Sequence, residues 1–247
     1  MAIPHTQYLL FDLGGTLMHA RGDWEPIHAQ ADAALVQKLS EHEIALDTRV
    51  FRARLHAYYA QRGRDYRETT YHFVLRELLN ELGYPEVPEA ILRSALDALY
   101  AVTQRNWLLE DDAQATLAEL KSKNHQLGIL SNAGDDKDVQ DLVEGFGVRS
   151  YFDFVLTSAA CYYRKPHARA FELALARWNA PPQEAVMIGD SLEADIEGAG
   201  NLTLRTIWIT RRAQFTDEEL RRIKPEFSVR KLSELLPTLE RISMTHI

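Results

Sequence analysis

The chain has a single cysteine, Cys161, and no apolar run that approaches the roughly 18 residues a membrane-spanning helix needs. One cysteine cannot form an intrachain disulfide, so nothing points to an oxidising compartment. No histidine or aspartate is spaced to activate Cys161, which reads as an ordinary thiol. The N-terminal MAIPHTQ lacks a basic patch followed by an apolar segment, so no signal peptide is expected. Basic residues are also in deficit: 28 Lys and Arg face 36 Asp and Glu, a formal net charge of -8. This excess of acid argues against non-specific nucleic-acid binding, which needs a basic surface. It leaves a small anionic substrate open, because a local site can be positive on an acidic protein. Internal repeats, low-complexity tracts and linkers are missing too. The expectation is a cytoplasmic protein with no membrane or nucleic-acid partner; its oligomeric state is not legible.

What is there is a chain of 247 residues, 46% hydrophobic and 26% charged, enough for one large domain or a core with a smaller domain. Short apolar runs end in polar residues. Tyr8 to Phe11 ends at Asp12, Leu127 to Leu130 at Ser131, and Phe154 to Leu156 at Thr157. Val186 to Ile188 ends at Gly189-Asp190, and Thr206 to Ile209 at Thr210. Such runs suit strands buried on both faces. Helical spacing separates them, in 112–123 (Ala113, Leu117, Leu120), 136–146 (Val139, Leu142, Val143, Phe146) and 167–179 (Phe171, Ala174, Leu175, Trp178). Thr216 and Glu219 form a capping box, and Leu232, Leu235, Leu236 and Leu239 mark a closing helix. The alternation predicts an α/β fold: a Rossmann-like, doubly wound parallel sheet. Ligands bind such sheets at the carboxyl ends of the strands, where Asp12, Ser131 and Asp190 all fall.

From about Met18 to Gln104 the alternation stops and no strand is expected. Helices are read from Ala31-Ala34-Leu35-Leu39, Phe51-Leu55-Tyr58, Val74-Leu75-Leu78-Leu82 and Ile91-Ala95-Leu99-Val102. The division is therefore a core of residues 1–17 and 105–247, with a helical insertion, 18–104, after the first strand.

Four separated elements carry the chemistry: Phe11-Asp12-Leu13-Gly14-Gly15-Thr16-Leu17, Ser131-Asn132, Lys165-Pro166, and Gly189-Asp190-Ser191 with Asp195. In order and spacing they resemble the four motifs of the haloacid dehalogenase superfamily, and the resemblance covers nearly the whole chain, with 18–104 as its helical cap. It implies phosphoryl transfer, which needs a nucleophile, a cation beside the transferring oxygens and positioned donors. Asp12 would be the nucleophile, forming an aspartyl-phosphate. Thr16 and Ser131 would donate hydroxyls, and Asn132 an amide, to the phosphate or substrate. Lys165 would hold nucleophile and phosphate by charge. Mg²⁺ would be bound by Asp12, the Gly14 carbonyl and Asp190, with Asp195 near it or behind water. A helix is expected to begin at Ser191. The implied substrate is a small phosphorylated or anionic metabolite.

The sequence departs from this pattern at Gly14. Phosphatases of the superfamily carry there the Asp that protonates the leaving oxygen and then activates water. Glycine keeps the carbonyl and loses the proton-handling group. General acid–base catalysis is worth roughly 10²–10⁴-fold, about 3–5 kcal/mol of barrier, so the implied phosphatase is slow, or the scaffold only binds a ligand or partner. His19 and Glu193 are the candidate stand-ins. Dehalogenases of the superfamily need no metal and lack the later aspartates. Phosphonate hydrolases need a cap lysine, and the only one between 18 and 108 is Lys38, poorly placed beside Leu35 and Leu39. Arg49, Arg52, Arg54, Arg62, Arg64 and Arg67, with Tyr58, Tyr59 and Tyr66, could read an anionic or aromatic leaving group; a solvated helix face with snorkelling arginines is the preferred reading.

Overall fold

A computed structural model describes residues 8–61 and 65–244. Its strands are β1 (Tyr8–Phe11), β2 (Met18–Ala20), β3 (Trp107–Leu109), β4 (Gln126–Ser131), β5 (Phe154–Thr157), β6 (Ala185–Gly189), β7 (Arg205–Ile209) and β8 (Phe227–Val229). Six of them form one sheet in the order β5-β4-β1-β6-β7-β8, with every neighbouring pair parallel. Strand order runs outward in both directions from β1, so the crevice where ligands collect lies at the carboxyl ends of β1 and its neighbours.

Both faces of the sheet are buried, which explains its continuous apolar runs. Leu9 and Phe11 of β1 pack on one side with Leu117, Val143 and Ile242. Leu10, between them, packs on the other with Phe171, Ala174 and Met187. The alternation is the two-residue period of a strand. Full burial of each such side chain contributes roughly 1.5–3 kcal/mol. The helices on these faces are α5 (Ala113–Ser122), α6 (Asp136–Gly145), α7 (Ser158–Cys161), α8 (Ala168–Ala176) and the closing helix Leu235–Met244. The capping box at Thr216 and Glu219 is present and starts the short helix Asp217–Arg222.

Between β2 and β3 lie α1 (Trp24–Ser40), α2 (Thr48–Gln61), α3 (Tyr71–Glu81) and α4 (Glu89–Gln104). They share an apolar core of their own, built from Leu35, Leu39, Phe51, Leu55, Leu75, Leu78, Leu92 and Leu96. The strand-free reading of 18–104 needs one correction: Met18–Ala20 is a strand, paired antiparallel with Trp107–Leu109. Three-residue strands show too little alternation to stand out, and β3 and β8 escaped the sequence reading for the same reason. No described helix is long and apolar enough to cross a membrane.

Candidate active site

The site begins where β1 ends. The Asp12 amide donates to the Ile188 carbonyl at 2.9 Å, extending the ladder one residue past the strand. The chain then turns back at once: the amides of Leu17 and Met18 donate to the Leu13 carbonyl at 2.9 and 3.0 Å, and that of Gly15 to Met18 at 2.7 Å. Gly15 makes the turn possible. Its φ is +82°, and a Cβ there would overlap the carboxylate of Asp190. Gly14, its neighbour, has no such backbone requirement, since the left-handed described glycines are Gly15, Gly83 and Gly147.

Lys165 reaches the same point from the loop between α7 and α8. Its ammonium donates to Asp12 Oδ1 and to Asp195 Oδ1, both at 2.6 Å. Asp195 stands on a wide, π-type helical turn, Leu192–Glu197, whose first residue follows the Ser191 N-cap. The helix thus starts one residue later than the sequence reading placed it. The second oxygen of Asp195 accepts the Ser191 amide at 3.0 Å. One oxygen from each of Asp12, Asp190 and Asp195 lies within 4.8 Å of the others. Lys165 and Asp195 are almost fully buried, at 2% and 1% exposure, and Asp12 nearly so at 8%; neither Lys165 nor Asp195 is the solvated loop group its type alone would suggest.

Two carboxylates, Asp12 and Asp195, share one ammonium with a third, Asp190, beside them, and the electrostatics follow from that. Burial, then the charges of Asp12 and Asp195, push the Asp190 carboxyl well above the usual range. Asp195 is also raised, by burial and by Asp12, against the pull of Lys165. Burial pulls the Lys165 ammonium down, but the charges of Asp12 and Asp195 and their hydrogen bonds outweigh it and hold the group above its ordinary value. The lysine stays charged while the acids compete for it.

Of the other expected site residues, Ser131 is buried at the end of β4 and faces the same cavity as Asp12. Asn132 is tied to the main chain of Lys165: its Oδ1 accepts the Lys165 amide at 2.8 Å and its Nδ2 donates to the Lys165 carbonyl at 3.0 Å. The amide therefore orients the lysine. Thr16 is 1% exposed, is not part of the cavity wall, and its hydroxyl has no partner among the described residues. His19 and Glu193 do not line the cavity. His19 Nδ1 lies 3.0 Å from Glu110, and Glu193 accepts the Tyr66 hydroxyl at 3.2 Å.

Residues 6–203 match the family model of the haloacid dehalogenase-like hydrolases. The chain belongs to that family. It is 33% identical over 162 residues to the phosphoserine phosphatase of Thermus thermophilus, covering 66% of this chain and 62% of that enzyme. It is 31% identical over 204 residues to the ribulose-1,5-bisphosphate 5-phosphatase of Halopiger xanaduensis, 81% of this chain and 82% of that enzyme. Among solved structures, the 2-haloacid dehalogenase of Pseudomonas syringae superposes with a TM-score of 0.69 at 24% identity, over 96% of this chain and 99% of the other. At that identity the likeness establishes the shared fold and does not choose between the two chemistries.

In this haloacid dehalogenase-like protein the helices α1–α4 roof a cavity of about 590 Å³ over the strand ends. That is the size of a small-metabolite site. The core supplies Asp12, Gly14, Ser131, Lys165 and Asp190; the helical layer supplies Trp24, His28, Arg52, Tyr59, Tyr71 and Tyr100; Trp107 comes from β3. The roof is tied down by polar contacts: Arg93 to Asp135 at 2.6 Å, Gln104 to Asp138 at 2.9 Å, and the Tyr71 amide to the Gly134 carbonyl at 3.1 Å. Glu68 accepts the Ser158 hydroxyl at 2.5 Å.

The arginine-rich segment divides. Arg49 and Arg54 pair with Asp47 and Glu81 on the surface, as a solvated face requires. Arg52 corrects that reading: it is held by Asp32 at 2.6 and 2.7 Å and lines the cavity. Arg62 and Arg64 lie outside the described residues. Trp24, His28 and Trp107 were missed in the sequence. A signal existed for the first two, since their spacing of four puts them on one face of α1. Trp107 sits in a strand too short to notice.

Proposed function

We propose that this protein is an Mg²⁺-dependent hydrolase that takes the phosphoryl group of a small phosphorylated metabolite onto Asp12 and releases it slowly. The observation that carries the reading is the buried Lys165 ammonium shared by Asp12 and Asp195 with Asp190 beside them. The relatives named as phosphatases support it. Three acids against one cation leave a buried site short of positive charge, and the donor set is all oxygen. Both features fit Mg²⁺. Asp12, Asp190 and the Gly14 carbonyl would hold the ion, with Asp195 behind them. Bound there, it would neutralise charge on the phosphoryl oxygens.

The remaining chemistry belongs to the chain. A carboxylate oxygen of Asp12 attacks phosphorus, the phosphorus–oxygen bond to the leaving group breaks, and the leaving oxygen departs with the electron pair. Lys165, its main chain gripped by Asn132, keeps the nucleophile aimed. The Ser131 hydroxyl is a donor for a phosphoryl oxygen. Hydrolysis of the aspartyl-phosphate then needs an activated water, and Gly14 offers no base for it. The first step therefore outruns the second. Residues 18–104 act as a cap over this chemistry, with the β2–β3 ribbon as its hinge to the core formed by 1–17 and 105–247.

The test is turnover of acetyl phosphate and p-nitrophenyl phosphate with and without Mg²⁺, in the native chain and in Asp12→Asn. Metal-dependent release of phosphate that disappears in Asp12→Asn is the expected result. Tight binding of phosphate without turnover or adduct would instead favour a ligand-binding protein on this scaffold.

A further inference from the structure

Gly14 is not demanded by its backbone, and the space above it is occupied. A Cβ at this position would stand 3.3 Å from Cη2 of Trp107. The room into which a carboxylate at residue 14 would extend is held by an indole from the hinge strand. Trp107 packs against Trp24, ring centroids 4.8 Å apart, and Trp24 stacks on His28 at 5.3 Å with the planes 17° apart. All three line the cavity that holds Asp12. An aromatic wall thus starts beside the nucleophile and runs along α1 into the cavity. Further along the lining, the buried hydroxyl of Tyr100 has no hydrogen-bond partner among the described residues. It is a polar handle in the cavity lining beside Tyr59 and Tyr71, and a buried hydroxyl left without a partner is costly.

Two independent features select the same substrate. The aspartate that would protonate the leaving oxygen is absent at Gly14, which favours a leaving group able to depart as an anion. A simple alkoxide does this poorly. A phenolate, whose acid ionises near the tyrosine value of about 10, does it readily. In the donor's place stands a wall suited to stacking a flat ring. We propose that the substrate is a phosphate monoester of an aromatic hydroxyl compound, its ring packed on Trp107 and Trp24. Asp12 forms the new bond to phosphorus; the aryl oxygen leaves with the electron pair of the broken bond and takes its proton from solvent. This rests on the phosphoryl-transfer reading and narrows its substrate class. Trp107 is then a specificity-determining residue.

The experiment measures kcat/KM in Mg²⁺ for phenyl, 1-naphthyl, benzyl and glycerol phosphates, with acetyl phosphate as a ring-free activated donor. It is paired with calorimetry of phenylphosphonate and butylphosphonate, which cannot be hydrolysed. The expected results are phenyl and 1-naphthyl phosphate at least about 100-fold ahead of benzyl and glycerol phosphate, and phenylphosphonate at least about tenfold tighter than butylphosphonate. Trp107→Ala should abolish the binding preference and Trp107→Phe should keep most of it. In Gly14→Asp with Trp107→Ala, the restored acid should raise glycerol phosphate relative to phenyl phosphate. The phosphonate comparison is made on the native chain, so it decides the point even where a variant does not fold. Equal affinity for the two phosphonates, or equal rates for phenyl and glycerol phosphate, overturns the aryl assignment while acetyl phosphate still turns over. Failure of every donor, acetyl phosphate included, overturns the phosphoryl-transfer reading itself.

Discussion

The strand-end site and its helical roof are built on opposite principles. At the strand ends the polar groups are tied to one another: Lys165 to Asp12 and Asp195, Asn132 to the Lys165 main chain, Asp195 to the Ser191 amide. The roof faces the same cavity with rings, held mainly by packing, and contributes one firmly paired cation, Arg52. The first region can hold charge in place without rearranging, which is what phosphoryl transfer requires. The second can change its lining without disturbing that chemistry. Gly14 and Gly15 show the border between them. Gly15 serves the first region, because its φ of +82° and the nearby Asp190 exclude a side chain. Gly14 serves the second, because its missing side chain makes room for Trp107.

Lys165 is where the strand-end site is most sensitive to substitution. Lys165→Met leaves the buried carboxylates of Asp12 and Asp195 without their counter-ion, and removing one partner of a buried pair costs roughly 3–5 kcal/mol. Thermal denaturation should show a large loss of stability, partly recovered by Mg²⁺; an unchanged melting temperature would mean that the acids are already protonated. Next come the two glycines. Gly15→Ala must adopt a left-handed conformation that costs about 1–2 kcal/mol and must also displace Asp190, so it should lose both stability and Mg²⁺ affinity. Gly14→Ala needs only a shift of a few tenths of an ångström in Trp107, and its stability should change by less than about 1 kcal/mol. Equal effects at the two positions would mean that no border runs between Gly14 and Gly15. Asp190→Asn removes one oxygen ligand from the acid cluster and should weaken Mg²⁺ binding markedly in calorimetry, with little effect on the helical roof.

A pH-dependent effect is expected at Asp138, where roof meets core. Burial, opposed by the Gln104 hydrogen bond and assisted by Asp135 and Asp141, raises its carboxyl from 3.8 to about 7. Between those values the folded protein holds a proton that the unfolded chain has released. Its contribution to stability is therefore present at low pH and is lost as pH rises through about 7. Asp138→Asn keeps an acceptor for Gln104 and removes the titration. It should be more stable than the native chain at pH 8, with the difference shrinking towards pH 5. A difference that grows on acidification would reverse the sign assigned to this group.

How much of this was legible depended on what each residue answers to. The six-stranded sheet could be read because strands such as Leu9-Leu10-Phe11 are buried on both sides and carry no polar interruption. The acid cluster could be read because Asp12 and Asp190 each follow a strand end and Asp195 lies in the helical turn that comes next. The role of Asn132 could not. Its pairing with the Lys165 main chain spans 33 residues and leaves no local pattern. Trp107 was hidden for the same reason: its partners are Gly14 and Trp24, one far back in the chain and one across the helical insertion. The missing aspartate at position 14 was visible as an absence, while what fills the space was visible only in three dimensions.

The proposed chemistry requires that Asp12 be phosphorylated faster than it is cleared. The most direct measurement is intact-protein mass spectrometry through a time course after mixing with acetyl phosphate and Mg²⁺. The account predicts one added phosphoryl group that builds up on the native chain, never forms on Asp12→Asn, and is cleared faster in Gly14→Asp combined with Trp107→Ala, by up to the roughly 10²–10⁴-fold span of general acid–base catalysis. Steady turnover with no adduct at any time would contradict it, because another group would then already be activating the water.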